Sequence, residues 1–153
     1  MRGLSKTRMM DVETKPEANL EQAVPFFGVE NMEESVRYYV EGLGFKMTRK
    51  WIDDGKLRWC WLERGGAALM LQEFWKEGHH AGRPEGKLGL GMSICFMCQD
   101  ALAFYRELTS RGIQAQRPFV GNGLWVTNVS DPDGYKLCFE SPTDAPEESE
   151  YSG

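Results

Sequence analysis

The sequence predicts an α+β fold made of two consecutive βαβββ units, and three observations carry that expectation. A helical segment, Glu34-Ser35-Val36-Arg37-Tyr38-Tyr39 followed by Leu43-Gly44-Phe45, has a counterpart in Asp100-Ala101-Leu102-Ala103-Phe104-Tyr105 followed by Arg111-Gly112-Ile113. Each helix is preceded by one strand-like apolar segment and followed by three. The segments that follow are separated by Gly, Asn and Asp, residues that tolerate positive φ and close hairpins. A repeated unit of this kind does not bury its apolar face alone.

The first 22 residues are polar and mixed in charge and are expected to be a flexible arm. Order is expected from residue 23, with a first strand at Val24-Pro25-Phe26-Phe27-Gly28-Val29 and Pro near its start, where a missing donor is tolerated. Asn31 caps the first helix, with Glu34 three residues on as a capping-box variant. Val36, Tyr39, Val40 and Leu43 fall at helical spacing on one face, and Gly44 supplies the stop. Strands are expected over Phe45 to Ile52, Leu57 to Glu63 and Ala67 to Phe74, turned by Asp54-Gly55 and Gly65-Gly66. Residues 23–75 thus form the first unit, and the Gly-rich stretch from Lys76 to Gly89 links it to the next.

The second unit, 90–141, repeats the order. A strand from Met92 to Cys98 leads to Asp100 as N-cap, then to a helix that buries Ala101, Phe104, Tyr105 and Leu108 and ends at Gly112. Strands are expected at Ile113 to Val120, Leu124 to Val129 and Tyr135 to Glu140, with turns at Gly121-Asn122-Gly123 and Asp131-Pro132-Asp133-Gly134. Residues 142–153 form an acidic tail without apolar periodicity, expected to be loose.

Composition narrows the function classes. The 153 residues suit one domain, residues 23–141, and 41% hydrophobic with 27% charged content reads as globular. A net charge of −5 and the lack of any basic stripe argue against nucleic acid. No apolar run approaches bilayer-spanning length, and no basic-then-apolar leader opens the chain, so a cytoplasmic protein without a membrane partner is expected. Of the four cysteines, Cys95 and Cys98 form C-x-x-C within a strand. Residues three apart on a strand point to opposite faces, so ordinary reduced thiols are expected. His79 and His80 are adjacent in the linker, a spacing that suits solvated side chains better than converging metal ligands.

The two βαβββ units, the Tyr38-Tyr39 and Phe104-Tyr105 pairs, Leu43-Gly44-Phe45, and Asp131-Pro132-Asp133-Gly134-Tyr135 before the last strand together resemble the vicinal-oxygen-chelate superfamily of glyoxalases, bleomycin resistance proteins, fosfomycin resistance proteins and extradiol dioxygenases. The resemblance spans Val24 to Glu140. It implies eight strands curled around a cleft, a homodimer, and, in the metal enzymes, His, Glu or Gln ligands on the first and last strands of each unit. Registering on the helices and turns puts those positions at Val24, Leu71, Ser93 and Cys138, which offer neither imidazole nor carboxylate. A hard cation needs N or O donors, so no metal and no cofactor is expected there. The resemblance therefore narrows to the metal-free, ligand-binding branch typified by bleomycin resistance proteins.

The chain also holds five tryptophans, four of them in or next to expected strands. Trp59 and Trp61 alternate onto one face of the third strand, and Trp51 and Trp125 lie on neighbouring or equivalent strands. They are either core or dimer-interface aromatics or walls for an aromatic or cationic ligand, with at least one expected to line the cleft, alongside Phe26 on the first strand. Glu73 and Glu140, two residues beyond Leu71 and Cys138, are the carboxylates nearest the cleft. The leading expectation is a non-catalytic protein that sequesters a small antibiotic-like molecule. An atypical lyase, isomerase or dioxygenase using Glu73 and Glu140 is the alternative, and a self-filled interaction module is a third.

Overall fold

A computed structural model describes residues 10–15, 19–78 and 82–153. The elements follow the expected order: β1 (Phe26–Val29), α1 (Met32–Arg37), β2 (Lys46–Asp53), β3 (Lys56–Arg64), β4 (Ala67–Glu73), β5 (Ile94–Met97), α2 (Ala101–Ser110), β6 (Phe119–Gly121), β7 (Leu124–Ser130) and β8 (Lys136–Pro142). Two four-stranded sheets result, ordered β1-β4-β3-β2 and β5-β8-β7-β6. In each, the outer pair β1/β4 or β5/β8 is parallel and the remaining pairs are antiparallel.

The local signals act as their chemistry predicts. Asn31 Oδ1 accepts from Glu34 N at 3.0 Å, and Asp100 Oδ1 from Ala103 N at 2.9 Å, each satisfying a donor that the helix leaves open. The last turn of the first helix widens to π-type bonding over Tyr38–Gly42. Gly44 ends it at φ +79, and a Cβ there would run into the Arg64 guanidinium, so glycine is required twice over. Asp54-Gly55 and Asn122-Gly123 both take positive φ in pairs, the backbone of a type I′ hairpin.

Strand alternation divides each sheet into an inner and an outer face. Phe27 and Val29 of β1, Cys60 and Leu62 of β3, and Leu69 and Leu71 of β4 point inward. They join Tyr39, Leu43 and Phe45 in one core with Leu108, Val129, Leu137 and Phe139 of the second unit. The units are thus packed inner face to inner face. Of the predicted helix positions, Tyr39, Ala101, Leu43 and Leu108 are fully buried and Val36, Val40, Phe104 and Tyr105 half-buried.

A polar bolt crosses the same junction. Asp131 Oδ1 accepts from Asp133 N at 2.9 Å and Tyr135 N at 2.8 Å, which shapes the Asp-Pro-Asp-Gly turn, while its Oδ2 accepts from Tyr39 Oη at 2.8 Å. Asp133 accepts from Glu30 N at 3.1 Å and Ser35 Oγ at 3.3 Å, and Tyr135 Oη donates to Gly28 O at 2.8 Å. Tyr135 also stacks on Phe27, with centroids 4.3 Å apart. Burial pushes the Asp131 and Asp133 carboxyls up despite these donors, and burial beside Asp131 holds the Tyr39 phenol well above its ordinary value. A second link is the Arg64 guanidinium, which donates to Glu107 at 2.9 and 3.2 Å and to Leu43 O.

Two expectations need correction. The strand expected from Ile113 is confined to Phe119–Gly121: Gln116 N still donates to Asn128 O at 3.0 Å, but Pro118 has no N–H with which to carry the ladder on. The tail is not loose where it follows β6: Val120 N donates to Ser149 O, Glu148 N to Val120 O and Tyr151 N to Pro118 O, at 2.9–3.0 Å. Backbone pairing along an open strand edge needs no apolar period, which is why the tail's composition hid it.

Candidate functional site

The outer face of the first sheet is an aromatic wall. Register pairs Trp59 with Gln72 and Trp61 with Met70 on β4, and Trp51 with Trp59 and Arg49 with Trp61 on β2, so all six share that face. The Arg49 guanidinium lies over the Trp61 ring, 4.8 Å from its centroid, and Trp61 Nε1 donates to Glu63 Oε1 at 2.7 Å. The indole is thereby held between a cation and a carboxylate. Trp51 leans on Trp75, which carries the Arg58 guanidinium 4.7 Å from its ring. Trp59 and Trp61 are half-buried; Trp51 and Phe26 are 47% and 56% exposed, so the wall is open.

The outer face of the second sheet is built differently. Cys95 pairs with Cys138, and Met97 with Glu140, across the parallel strands β5 and β8. Opposite them on β7 lie Asn128 and Val126. Cys95 and Met97 are exposed, Glu140 is half-buried and Cys138 is buried. Cys95 and Cys138 are joined as a disulfide, with Cα atoms 4.7 Å apart. The expectation of reduced thiols is corrected here: the bond runs across strands, to a cysteine 43 residues away, which only the register brings alongside. Cys95 and Cys98 do part company as expected, since Cys98 packs against the core and its thiol reaches Glu140 O. Burial pushes the Cys98 thiol up, and the buried Cys60 thiol up to about 11, so neither is an activated nucleophile.

Several predicted residues lie elsewhere. Leu71 is fully buried in the core because β1 places Phe27 opposite it; Met70 and Gln72 hold the outward positions instead. Glu73 follows the same inward alternation and ends the strand against Lys56 Nζ at 3.0 Å. Trp125 sits on the inner side of the second sheet, on the face where Thr127 Oγ1 donates to Ala101 O of α2. Ser93 is exposed just ahead of β5, and Val24 is half-buried just ahead of β1. Glu73 and Glu140 belong to different sheets and opposite faces, so one chain does not bring them together. His79 and His80 lie outside the described residues. Arg49 and Met70 escaped the sequence reading: regular hairpin register puts Met70 opposite Trp61, whereas Arg49 reaches Trp61 only through a register shift between Trp51 and Ile52.

A cavity of about 1220 Å³ runs along a seam between the units and not along the Trp wall. Val24, Phe45, Phe96, Phe104 and Phe139 line it, with the Arg64–Glu107 pair at its margin. It exceeds the roughly 300–1,000 Å³ of ordinary ligand pockets, as an open gap between packed units does.

Strand order, paired parallel edges and duplicated helices agree with a family match over residues 21–139 to the Glyoxalase/Bleomycin resistance protein/Dioxygenase superfamily. The chain belongs to this superfamily. No curated protein matches the sequence significantly. Several solved structures are similar to it: a bleomycin-binding protein complexed with bleomycin has a TM-score of 0.59 at 25% identity, covering 80% of this chain and 98% of that one. TnmS3, an antibiotic binding protein from Streptomyces sp. CB03234, has a TM-score of 0.58 at 21% identity, over 80% and 98%. A glyoxylase/bleomycin resistance protein/dioxygenase domain from Frankia sp. EAN1pec reaches 0.64 at 17% identity, over 84% and 96%. Among the described residues, no helix of this superfamily member is long and apolar enough to cross a membrane.

Proposed function

We propose that the chain is a metal-independent binding protein that sequesters a small aromatic or cationic molecule of antibiotic type without transforming it. The observation that carries this reading is the open wall of Trp51, Trp59 and Trp61, with Arg49 and Glu63 bracketing one indole. Flat rings take an aromatic ligand by stacking and a cationic one by cation–π contact, and Glu63 adds a charge of the right sign. Similarity to a bleomycin-binding protein and to an antibiotic binding protein supports the ligand class. Val24, Ser93 and Cys138, with Met70 or Leu71, provide no shell for a hard cation.

The binding unit on this reading is a homodimer. Because the units pack through their inner faces, the two outer faces point away from the shared core, and each is one wall of a cleft. A second copy, related by a two-fold axis, brings the Trp wall of one protomer opposite the Cys138 and Glu140 face of the other. The test is titration with bleomycin and with planar cationic dyes, read by tryptophan fluorescence, together with sedimentation of the free protein. Quenching that weakens in Trp61→Ala, at a stoichiometry of two sites per dimer, supports the reading. Quenching lost in Phe104→Ala but intact in Trp61→Ala would move the ligand to the seam, and an altered molecule recovered after incubation would make the protein an enzyme.

A further inference from the structure

We propose that Cys95, Cys138 and Glu140 form a redox-gated site for a thiophilic divalent cation of the zinc class, closed as the disulfide and open as the dithiol. Their ligating atoms lie within 4.8 Å of one another, the one cluster of His, Cys, Asp and Glu so arranged among the described residues. The three sit on one outward patch of β5 and β8: Cys95 and Cys138 are direct neighbours in register, and Glu140 is two residues beyond Cys138 on the same face. Two thiolates on one tetrahedral zinc stand about 3.8 Å apart at the usual 2.3 Å bond length, a separation that neighbouring parallel strands supply without backbone movement.

The donor set fixes the metal class. Two sulfurs and one carboxylate oxygen suit zinc or cadmium and not calcium or magnesium, which need oxygen shells. Asn128, opposite Cys138, turns its amide toward Gln116 at 3.4 Å, so the fourth position faces solvent past exposed Cys95 and is left to water. The steps balance. A dithiol reductant delivers two electrons and two protons to the disulfide, and is itself oxidised to a disulfide. Metal entry then sends the two thiol protons to solvent, while a disulfide-class oxidant reverses both steps and expels the ion, because disulfide sulfurs are no longer thiolates. This site is confined to the second unit: it shares Cys138 with the superfamily positions but takes Cys95 and Glu140 in place of Val24, Leu71 and Ser93. Zinc uptake is read in the absence of bleomycin or dye, so failure of the site and failure of ligand binding at the Trp wall are told apart.

The experiment uses the full chain, reduced with dithiothreitol and desalted under nitrogen, then titrated with zinc against a chromophoric chelator and with cobalt. One ion per chain is expected, with a thiolate-to-cobalt charge-transfer band, and none after treatment with oxidised glutathione. Cys95→Ser, at an exposed position, should lose zinc affinity by more than tenfold and weaken the band. Glu140→Gln should keep the band and lose affinity by about tenfold, in the range that loss of supporting groups gives. Cys98→Ser should behave as wild type. Circular dichroism checks that each variant folds, and if Cys95→Ser does not, Glu140→Gln carries the comparison. No zinc uptake by the reduced protein, equal uptake by the oxidised protein, or unchanged affinity in both variants overturns the site.

Discussion

The two units share strand order, helix caps and turn chemistry, yet their outer faces have almost nothing in common. The first presents Trp51, Trp59 and Trp61 with Arg49 and Glu63; the second presents Cys95, Met97, Cys138 and Glu140 and no aromatic ring on the central strands. Their inner faces are near-equivalents, Phe27 and Leu71 on one side and Phe96 and Phe139 on the other, all turned toward one core. The inner faces must fill the same space with apolar atoms, so their chemistry is constrained twice. The outer faces carry no such obligation and are free to differ, which is the freedom the proposed binding role uses. The free edges differ as well: β2 is blunted by Lys46, Arg49 and Lys50, whereas β6 is covered by the tail.

The largest expected effect breaks the contrast between faces of a single strand. Leu71→Ala opens a cavity in the shared core and should cost about 2–5 kcal/mol of stability. Met70→Ala, one residue away on the half-buried outer face, should cost under about 1.5 kcal/mol. Denaturant unfolding of the pair measures this: equal losses would mean that the two faces are buried alike, and a larger loss at Met70 that they are assigned the wrong way round. Next in size is the bolt. Asp131→Ala leaves the buried Tyr39 hydroxyl and two turn N–H groups without their acceptor, a loss of about 1–3 kcal/mol for the buried group. Tyr39→Phe removes the donor and spares the turn, so it should cost less than Asp131→Ala.

Much of this was legible in the sequence. The 3.6-residue period of the helices, Asn31 and Asp100 as caps, and the Asp-Gly and Asn-Gly turns are local signals, and each produced the element it encodes. The site was only half legible. Trp59 and Trp61 reach the outer face because alternation along one strand is local. Leu71 and Trp125 were misplaced because their facing depends on which residue of β1 or β8 lies opposite, a long-range register that no nearby residue encodes. The disulfide was missed for the same reason. Asp131 read as a turn former, while its second carboxylate oxygen serves Tyr39, 92 residues away.

At the Trp wall the contrast becomes one of affinity. Each aromatic contact is worth about 0.5–1.5 kcal/mol beyond the area it buries. Trp61→Ala should therefore weaken bleomycin or dye binding by up to about tenfold while hardly moving the unfolding midpoint. Val126→Ala on the other outer face should weaken it less. Fluorescence titration separates them, and equal effects would mean that both faces contribute alike.

The smallest effect, and the one whose sign is most diagnostic, compares the two polar links between the units. Hydrogen bonds from Arg64 hold the Glu107 carboxyl below its ordinary value. That stability is present above the unfolded carboxylate value, near pH 4.3, and is lost as pH falls through the folded one. Burial pushes the Asp131 carboxyl up. Its contribution runs the other way: it is full below the unfolded value, near pH 3.9, and is lost as pH rises through the folded one. As pH falls from 7 toward 3, the stability gap between wild type and Glu107→Gln should therefore narrow, and the gap between wild type and Asp131→Asn should widen. Thermal unfolding in a matched buffer series reads both slopes against the same wild-type curve, which cancels the changing net charge that all three proteins share. Slopes of the same sign would show that one carboxyl is held otherwise than its surroundings dictate. Asp131 would be the one to doubt, because its donors from Tyr39, Asp133 and Tyr135 oppose the burial that raises it.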